Sequence, residues 1–334
     1  MPNGARRVLA AGAAVVPGTI VHGMGHVVAG QTHIGLRLLA MEAAGAGMVV
    51  GGLGGLAATG ASRRYIEPLV LMTVTGAGLL AVPLLADLYG VLAPPGGTGS
   101  APAALPLVET QLGLRYIYDP TFSYRALLGQ SVDVRWKWLR VMPSGWFALD
   151  DVNSRLRLLA GARFFGPGTS GSEAGGDVTS LDLEAAVTDH RYTSDGFAIT
   201  TAEVSVQGRL DLAHVAPTLR GSFAELGWGA ALETHRYFGT GAEGNQLLLA
   251  RFAFGAYFGH EGYPRGEGMF YYDHRHDDYA AGLKMTGLGS GVAGHFGLEG
   301  RMYFDEQWGV MLDAQVGSAW LGGLSLLFRQ GGKQ

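Results

Sequence analysis

The sequence predicts a mixed membrane protein: hydrophobic Gly/Ala-rich helices at the N-terminus, then an antiparallel transmembrane β-barrel of about twelve strands. Three observations predict it. From Glu109 onward the chain alternates apolar and polar residues in runs about ten long, clearest at Val132-Asp133-Val134-Arg135-Trp136-Lys137-Trp138. Period two puts Val132, Val134, Trp136 and Trp138 on one strand face and Asp133, Arg135 and Lys137 on the other. Residues 1–108 are nearly uncharged, carrying only Arg6, Arg7, Arg37, Glu42, Arg63, Arg64, Glu67 and Asp87. Finally, only 16% of residues are charged, below the usual ~25% of soluble chains, and 55 of the 334 are glycine.

The chain divides into a helical region (1–90), a Pro/Gly-rich linker (91–108) and a barrel (109–334). Uncharged stretches at 8–36, 43–62 and 68–86 are each near the ~20 residues a membrane helix needs. The first has two readings. Arg6 and Arg7 before Val8–Val21 fit a signal peptide with a cleavage site at Val28-Ala29-Gly30; Pro17, His22 and His26 interrupt the apolar core and favour a retained helix. In the second, Ala43, Gly47, Gly51, Gly55 and Thr59 recur every four residues and predict a smooth face for close backbone packing. The third, Leu69 to Leu85, is expected to fold back on it as a hairpin, with Arg63 and Arg64 in the turn.

Twelve strands are expected near 112–118, 131–141, 154–164, 179–189, 198–212, 222–235, 246–259, 267–275, 278–287, 294–304, 307–317 and 320–329. Their faces are consistent. Ala202, Val204, Val206 and Leu210 oppose Glu203, Ser205, Gln207 and Arg209; Leu226, Trp228 and Leu232 oppose Glu225, Glu233 and His235. Phe296, Leu298 and Met302 oppose His295, Glu299 and Arg301. Tyr116, Tyr118, Trp146, Phe147, Phe164, Phe165, Tyr237 and Phe238 cluster near run ends, as interfacial girdles do. A soluble sandwich or lipocalin-like barrel, apolar inside, is the rival pattern.

Over residues 109–334 these features resemble bacterial outer-membrane β-barrel proteins as a class. The resemblance implies an outer-membrane location; the alternative is an inner-membrane anchor bearing a periplasmic β-domain. Such barrels often end on an aromatic residue, whereas Phe328 here precedes Arg329-Gln330-Gly331-Gly332-Lys333-Gln334. The linker from Gly90 to Val108 reaches at most ~60 Å, so both halves are expected in one bilayer, with the helices on the barrel or between barrels.

Three constellations could carry chemistry. His22 and His26, at i and i+4, would share a helix face and with Glu42 could bind a metal. The zinc-protease glutamate is replaced by Gly23, so that hydrolytic mechanism is unsupported. Asp273, His274 and His276 lie in an Asp/His-rich turn with the residue types of an omptin-like rim site or a divalent-cation site. The third is the lumen: Asp133, Arg135, Lys137, Arg155, Arg157, Glu203, Arg209, Glu233, Glu299 and Arg301, joined by Arg115, Asp182, Glu184, Glu225 and Arg251. These opposed charges either line a pore or neutralise one another and fill it.

No organic cofactor is expected; a divalent cation is the one candidate. Without cysteine there is no disulfide or thiolate site. A net charge of -4 with no basic stripe gives no sign of nucleic-acid binding. Neither a P-loop nor a dinucleotide fingerprint is present. The expected partners are the lipid bilayer and other membrane subunits or a second copy. Three functions follow, in order: a structural or assembly role, a channel for small polar solutes or ions, and a membrane-embedded hydrolase.

Overall fold

The computed structural model describes residues 4–62, 64–102, 104–119, 125–168, 176–192, 196–236, 243–260, 262–275, 279, 283–285 and 289–331. Four helices open the chain: α1 (Gly4–Val15), α2 (Met24–Val28), α3 (Thr32–Thr59) and α4 (Ile66–Leu92). Strands follow: β1 (Val108–Tyr118), β2 (Ala126–Trp136), β3 (Leu139–Ala148), β4 (Ser154–Phe165), β5 (Ser180–Arg191), β6 (Ala198–Asp211) and β7 (Ser222–Arg236). Then come β8 (Glu243–Phe258), β9 (Arg265–Asp273), β10 (Leu283–Met285), β11 (Gly289–Ala293), β12 (His295–Tyr303), β13 (Trp308–Val316) and β14 (Trp320–Gln330).

All but β10 and β11 form one closed antiparallel barrel, β1 pairing with β14 from Val108↔Gln330 to Tyr118↔Trp320. The barrel thus has the expected twelve strands, but not the expected twelve segments. The run read as one strand at 131–141 is a hairpin: β2 ends at Trp136, Lys137 turns with φ 54°, and Arg135 pairs with Arg140. Of the segment read as a strand at 278–287, the described residues 283–285 form β10, which pairs with β11 outside the barrel. One hairpin unseen and one strand too many leave the count unchanged.

Charge is inside and apolar surface outside. On β6, Glu203 is 6% exposed while its neighbour Val204 is 54% exposed. This inverts the soluble-barrel pattern. Exposed leucines and valines (Leu112, Leu158, Val187, Leu298, Leu312, Leu324) girdle the wall. Exposed aromatics ring both ends. Trp136, Trp138, Phe164, Phe165, Phe304 and Trp308 lie at the end where the linker enters β1; Tyr116, Tyr118, Phe147 and Trp320 lie at the far end. Trp146 departs from the expected girdle: it faces the lumen, with the Arg115 guanidinium 3.8 Å from its ring centroid. Tyr237 and Phe238 fall outside the described residues.

Helices α3 and α4 are both long and apolar enough to span a bilayer. They form the expected antiparallel hairpin, with Arg64 in its turn. Helix α4 lies on the outer wall: Val74 packs with Ala250, Phe252 and Tyr272, and Trp228 Nε1 donates to Thr75 Oγ1 at 3.0 Å. Gly78 lets the helix approach, since a Cβ there would sit 2.9 Å from Phe252 Cβ.

The contact between α3 and α4 does not follow the four-residue stripe. At ~100° per residue, a period of four drifts by ~40° each step. Ala43, Gly47, Gly51 and Thr59 are exposed, and a Cβ on Gly47 would meet nothing. Added Cβ atoms at Gly51 and Gly55 would meet only side chains, Met72 and Leu69. The backbones meet at Gly45 and Gly52, seven residues apart and so nearly in line, where a Cβ would strike Gly76 O at 2.7 Å and Leu69 O at 2.8 Å. Gly45→Leu is therefore expected to destabilise the hairpin by about 1–3 kcal/mol through overpacking, while Gly47→Leu leaves denaturant unfolding in micelles unchanged.

Candidate functional site: a paired-charge lumen and a histidine clasp

Inward-facing charges of the barrel form a chain of ion pairs. Asp133 takes both Arg135 and Arg140 (3.0 Å to the latter), and Arg140 also reaches Glu184 at 2.9 Å. Glu203 lies between Arg157 and Arg275, the second at 2.5 Å. Arg163 grips Asp182 with two bonds of 2.7 and 2.8 Å. Arg209 joins Glu225 at 2.6 Å, Glu267 at 3.0 Å and Tyr257 Oη at 2.8 Å. Arg301 joins Glu299 at 2.8 Å and Glu109 at 3.1 Å, and Tyr303 donates to Glu109 at 2.6 Å. Arg115 pairs with Asp313 at 3.0 Å. Each charge removed from water here regains a counter-charge, which a low-dielectric interior demands.

These pairs surround a cavity of about 520 Å³, lined among the described residues by twelve Lys/Arg side chains and eight carboxylates. Arg155, Arg157, Arg251 and Glu299 line it as expected, and exposed Lys137 stands at its mouth rather than in a strand. Glu233 is buried but does not line it. The linker crosses the mouth: Ser100, Pro102, Leu105 and Pro106 line the cavity, and Ser100 N donates to Gly259 O at 3.0 Å. Towards the far end, the lumen beside β1–β3 and β14 is filled by Ile117, Leu127, Trp146 and Leu321. Tyr279 completes this plug and donates to Asn153 Oδ1 at 2.8 Å. At the linker end, outside the strands, Asp177 is 2.9 Å from His214. Burial pushes the Asp177 carboxyl up, but hydrogen bonds from Thr179 and His214 outweigh it and hold the group below the usual range. Backbone N–H groups of Trp308 and Gln307 likewise lower Asp305.

The expected histidine pair is divided. His22 lies in a turn, not on a helix with His26. Its N–H donates to Glu42 Oε2 at 2.8 Å, and its Nδ1 is 4.0 Å from that oxygen. His26, on α2, is fully buried with Asp87 of α4: Nδ1 donates to Asp87 Oδ1 at 2.6 Å. Asp87 also accepts the N–H groups of Gly25 at 2.9 Å and His26 at 3.0 Å, and His26 Nε2 is 3.2 Å from Thr218 Oγ1 on the barrel's β6–β7 connection. Gly90 makes the room, for a Cβ there would sit 2.6 Å from the His26 ring. This clasp ties α2, α4 and the barrel together. Two separate His–carboxylate pairs replace the expected three-ligand set. Among the described residues, no group of three or more His, Asp or Glu is placed to hold a metal.

The rim residues also diverge. Asp273 lines the lumen and accepts the N–H of Arg275 at 3.0 Å. His274 Nδ1 is instead 2.8 Å from the hydroxyl of Tyr272, which packs outward beneath α4. Alternation along the chain separates Asp273 from His274, so the two do not converge on one substrate. His276 lies outside the described residues.

Sequence reading missed Asp87, although a lone carboxylate in an apolar stretch is the signal that singled out Glu42. It also missed Arg140, Arg163, Glu109 and Glu267. Arg140 was hidden by the unseen turn: in a continuous strand it would share the outward face of Val132 and Trp138.

No family model and no curated protein matches the chain. Solved structures similar to it include the outer-membrane protein Omp33 of Acinetobacter baumannii (12% identity, 67% of this chain and 98% of that one, TM-score 0.34). Others are the translocator domain of the autotransporter NalP of Neisseria meningitidis (11%, 66% and 88%, 0.33) and the β-domain of the Bordetella autotransporter BrkA (12%, 67% and 98%, 0.34).

Two outcomes test this geometry. Glu203→Ala leaves Arg157 and Arg275 facing each other without their carboxylate, an expected loss of about 3–5 kcal/mol in urea unfolding. Asp87→Ala strands His26 and two helix N–H groups, costing about 1–3 kcal/mol for each buried group left unpaired; faster proteolysis of residues 4–30 with an intact barrel would report the released clasp.

Proposed function

We propose that the chain is an integral outer-membrane protein with a structural or assembly role, in which the barrel is a scaffold holding a helical hairpin in the same bilayer. The carrying observation is the seat of α4 on the apolar wall. Phe252 of β8 would face lipid in a bare barrel, yet it is 5% exposed beneath α4. A simple pore has no need of such a cover. The apolar belt, the two aromatic rings and the inward charges all suit a barrel in lipid. The hairpin adds apolar surface to the same belt: Leu36, Leu39, Val50 and Leu53 of α3 remain exposed. That outer face is where another membrane subunit or a second copy would meet the protein.

The cavity favours a second reading, a conduit for small polar solutes. The linker crosses its mouth and the plug around Tyr279 fills the far end beside β1–β3, so both would have to withdraw for passage. Single-channel conductance near zero in planar bilayers would remove this reading and leave the scaffold.

The scaffold reading has a direct test, because the chain contains no cysteine. A Gly78→Cys/Phe252→Cys pair would set its Cβ atoms 2.9 Å apart, so the helix need back away by only about 1 Å to reach the 3.5–4.5 Å of a disulfide. In outer-membrane fractions, mild oxidation should link hairpin and barrel in a species that still shifts in mobility on boiling. Inner-membrane fractionation, or no link in a folded barrel, would refute it.

A further inference from the structure

The linker end of the helical half carries guanidinium groups with no acidic partner among the described residues. Arg6, Arg37 and Arg220 are exposed and Arg7 is half-buried. The hydrogen bonds of three of them go to backbone carbonyls: Arg6 Nε to Val28 O at 2.9 Å, Arg7 Nε to Val91 O at 3.2 Å and Arg37 Nη1 to Val215 O at 2.5 Å. Among the described residues no carboxylate makes an ion pair with any of the four. The neighbouring acids are already engaged, Asp87 by His26, Glu42 by the N–H of His22 and Asp177 by His214. Arg7 reaches Val91, Leu92 and Ala93 at the end of α4, and the other three stand on segments packed around it: Arg6 on the carbonyl of Val28, which packs with Val91, Arg37 on that of Val215, which packs on the cluster holding Ala86, and Arg220 on the residue whose carbonyl accepts from Tyr89 at 2.8 Å.

Apolar surface adjoins this charge. Helix α1 has 12 residues, too few to span a bilayer. It buries Ala10 and Ala14 against Val91 and turns Val8 outward, 72% exposed. Ile20, in the turn that follows, is 78% exposed. Apolar side chains beside cationic ones are the composition of a helix lying in the membrane interface. A guanidinium offers a planar fork that matches a phosphate, and free donors remain where only one nitrogen is used.

We propose that this face binds anionic phospholipid, with Arg6, Arg7, Arg37 and Arg220 facing the headgroup phosphates and Val8 and Ile20 against the acyl chains. It rests on the reading of the chain as a membrane barrel, and names the lipid of the leaflet at the linker end. The surplus charge selects net-anionic phosphatidylglycerol over zwitterionic phosphatidylcholine.

The test uses the full chain, folded in micelles doped with either lipid, and native mass spectrometry to count the lipid retained. Phosphatidylglycerol should be retained preferentially. About fivefold of that preference should vanish for each guanidinium neutralised, through Arg6→Gln/Arg220→Gln and then Arg6→Gln/Arg7→Gln/Arg37→Gln. The first variant leaves Arg7 in place on the end of α4, so lost binding is separable from a loosened helix. Equal retention of the two lipids by the unmodified chain, or a preference unchanged in both variants, would overturn the proposal. So would full displacement of the lipid by inorganic phosphate, which would mean that the acyl chains contribute nothing. A mobility shift on boiling, read on each sample, reports the folded barrel separately.

Discussion

Closure of β1 on β14 is the constraint from which the other features follow. A strand facing hydrocarbon has no water to satisfy its N–H and C=O groups, so the sheet must leave no edge. Eleven paired positions from Val108↔Gln330 to Tyr118↔Trp320 remove it. Closure also divides the side chains by parity. One set meets the surroundings and is Leu, Val and aromatic; the other is enclosed and must neutralise itself. The pairs are that neutralisation: Asp133–Arg140 and Arg209–Glu225 join neighbouring strands, while Arg140–Glu184 and Arg301–Glu109 tie strands that are not neighbours in the sheet.

Glycine serves this crowded interior as well as the helices. A Cβ at Gly129 would lie 2.1 Å from the Trp146 ring, and one at Gly255 would lie 2.3 Å from the Phe223 ring. An inward ring on one strand is thus accepted by an inward glycine on the next. Arginines then lie over such rings, Arg115 on Trp146 and Arg209 on Phe223 at 4.0 Å, adding cation–π attraction to the ion pairs. The abundance of glycine reports large side chains packed inside a narrow cylinder as much as it reports turns.

Much of this was legible in the sequence, and the failures share a cause. Period two assigned Glu203, Arg209, Glu299 and Arg301 to the lumen without a fold, because parity within a strand is local. A two-residue turn without glycine or proline, at Lys137-Trp138, leaves no mark on the alternation, yet it reverses the chain and brings Arg140 inside. The helical stripe failed through geometry: four residues overshoot a full turn, so Gly45 and Gly52 meet α4 where Gly47 and Gly51 were expected. The His22/His26 spacing presumed a helix that begins only at Met24. Asp87 found its histidine through tertiary packing, which spacing along the chain does not encode.

The seat of the hairpin has a consequence in time. Helices α3 and α4 precede the barrel, but the wall they cover is made of β7, β8 and β9, which come later in the chain and lie across the cylinder from the β1–β14 seam. A chain delivered from its N-terminus therefore presents two membrane-length helices before their partner surface exists. The strap from Ala93 to Leu107 is already attached to both when the cylinder closes. The hairpin must be kept from settling in the first bilayer it meets; α4 is the more apolar of the two helices, while the glycine- and alanine-rich α3 holds lipid more weakly and brings the small residues that let the two fold back on each other. The helical half is thus a passenger during delivery and a fixed part of the wall once the barrel is made.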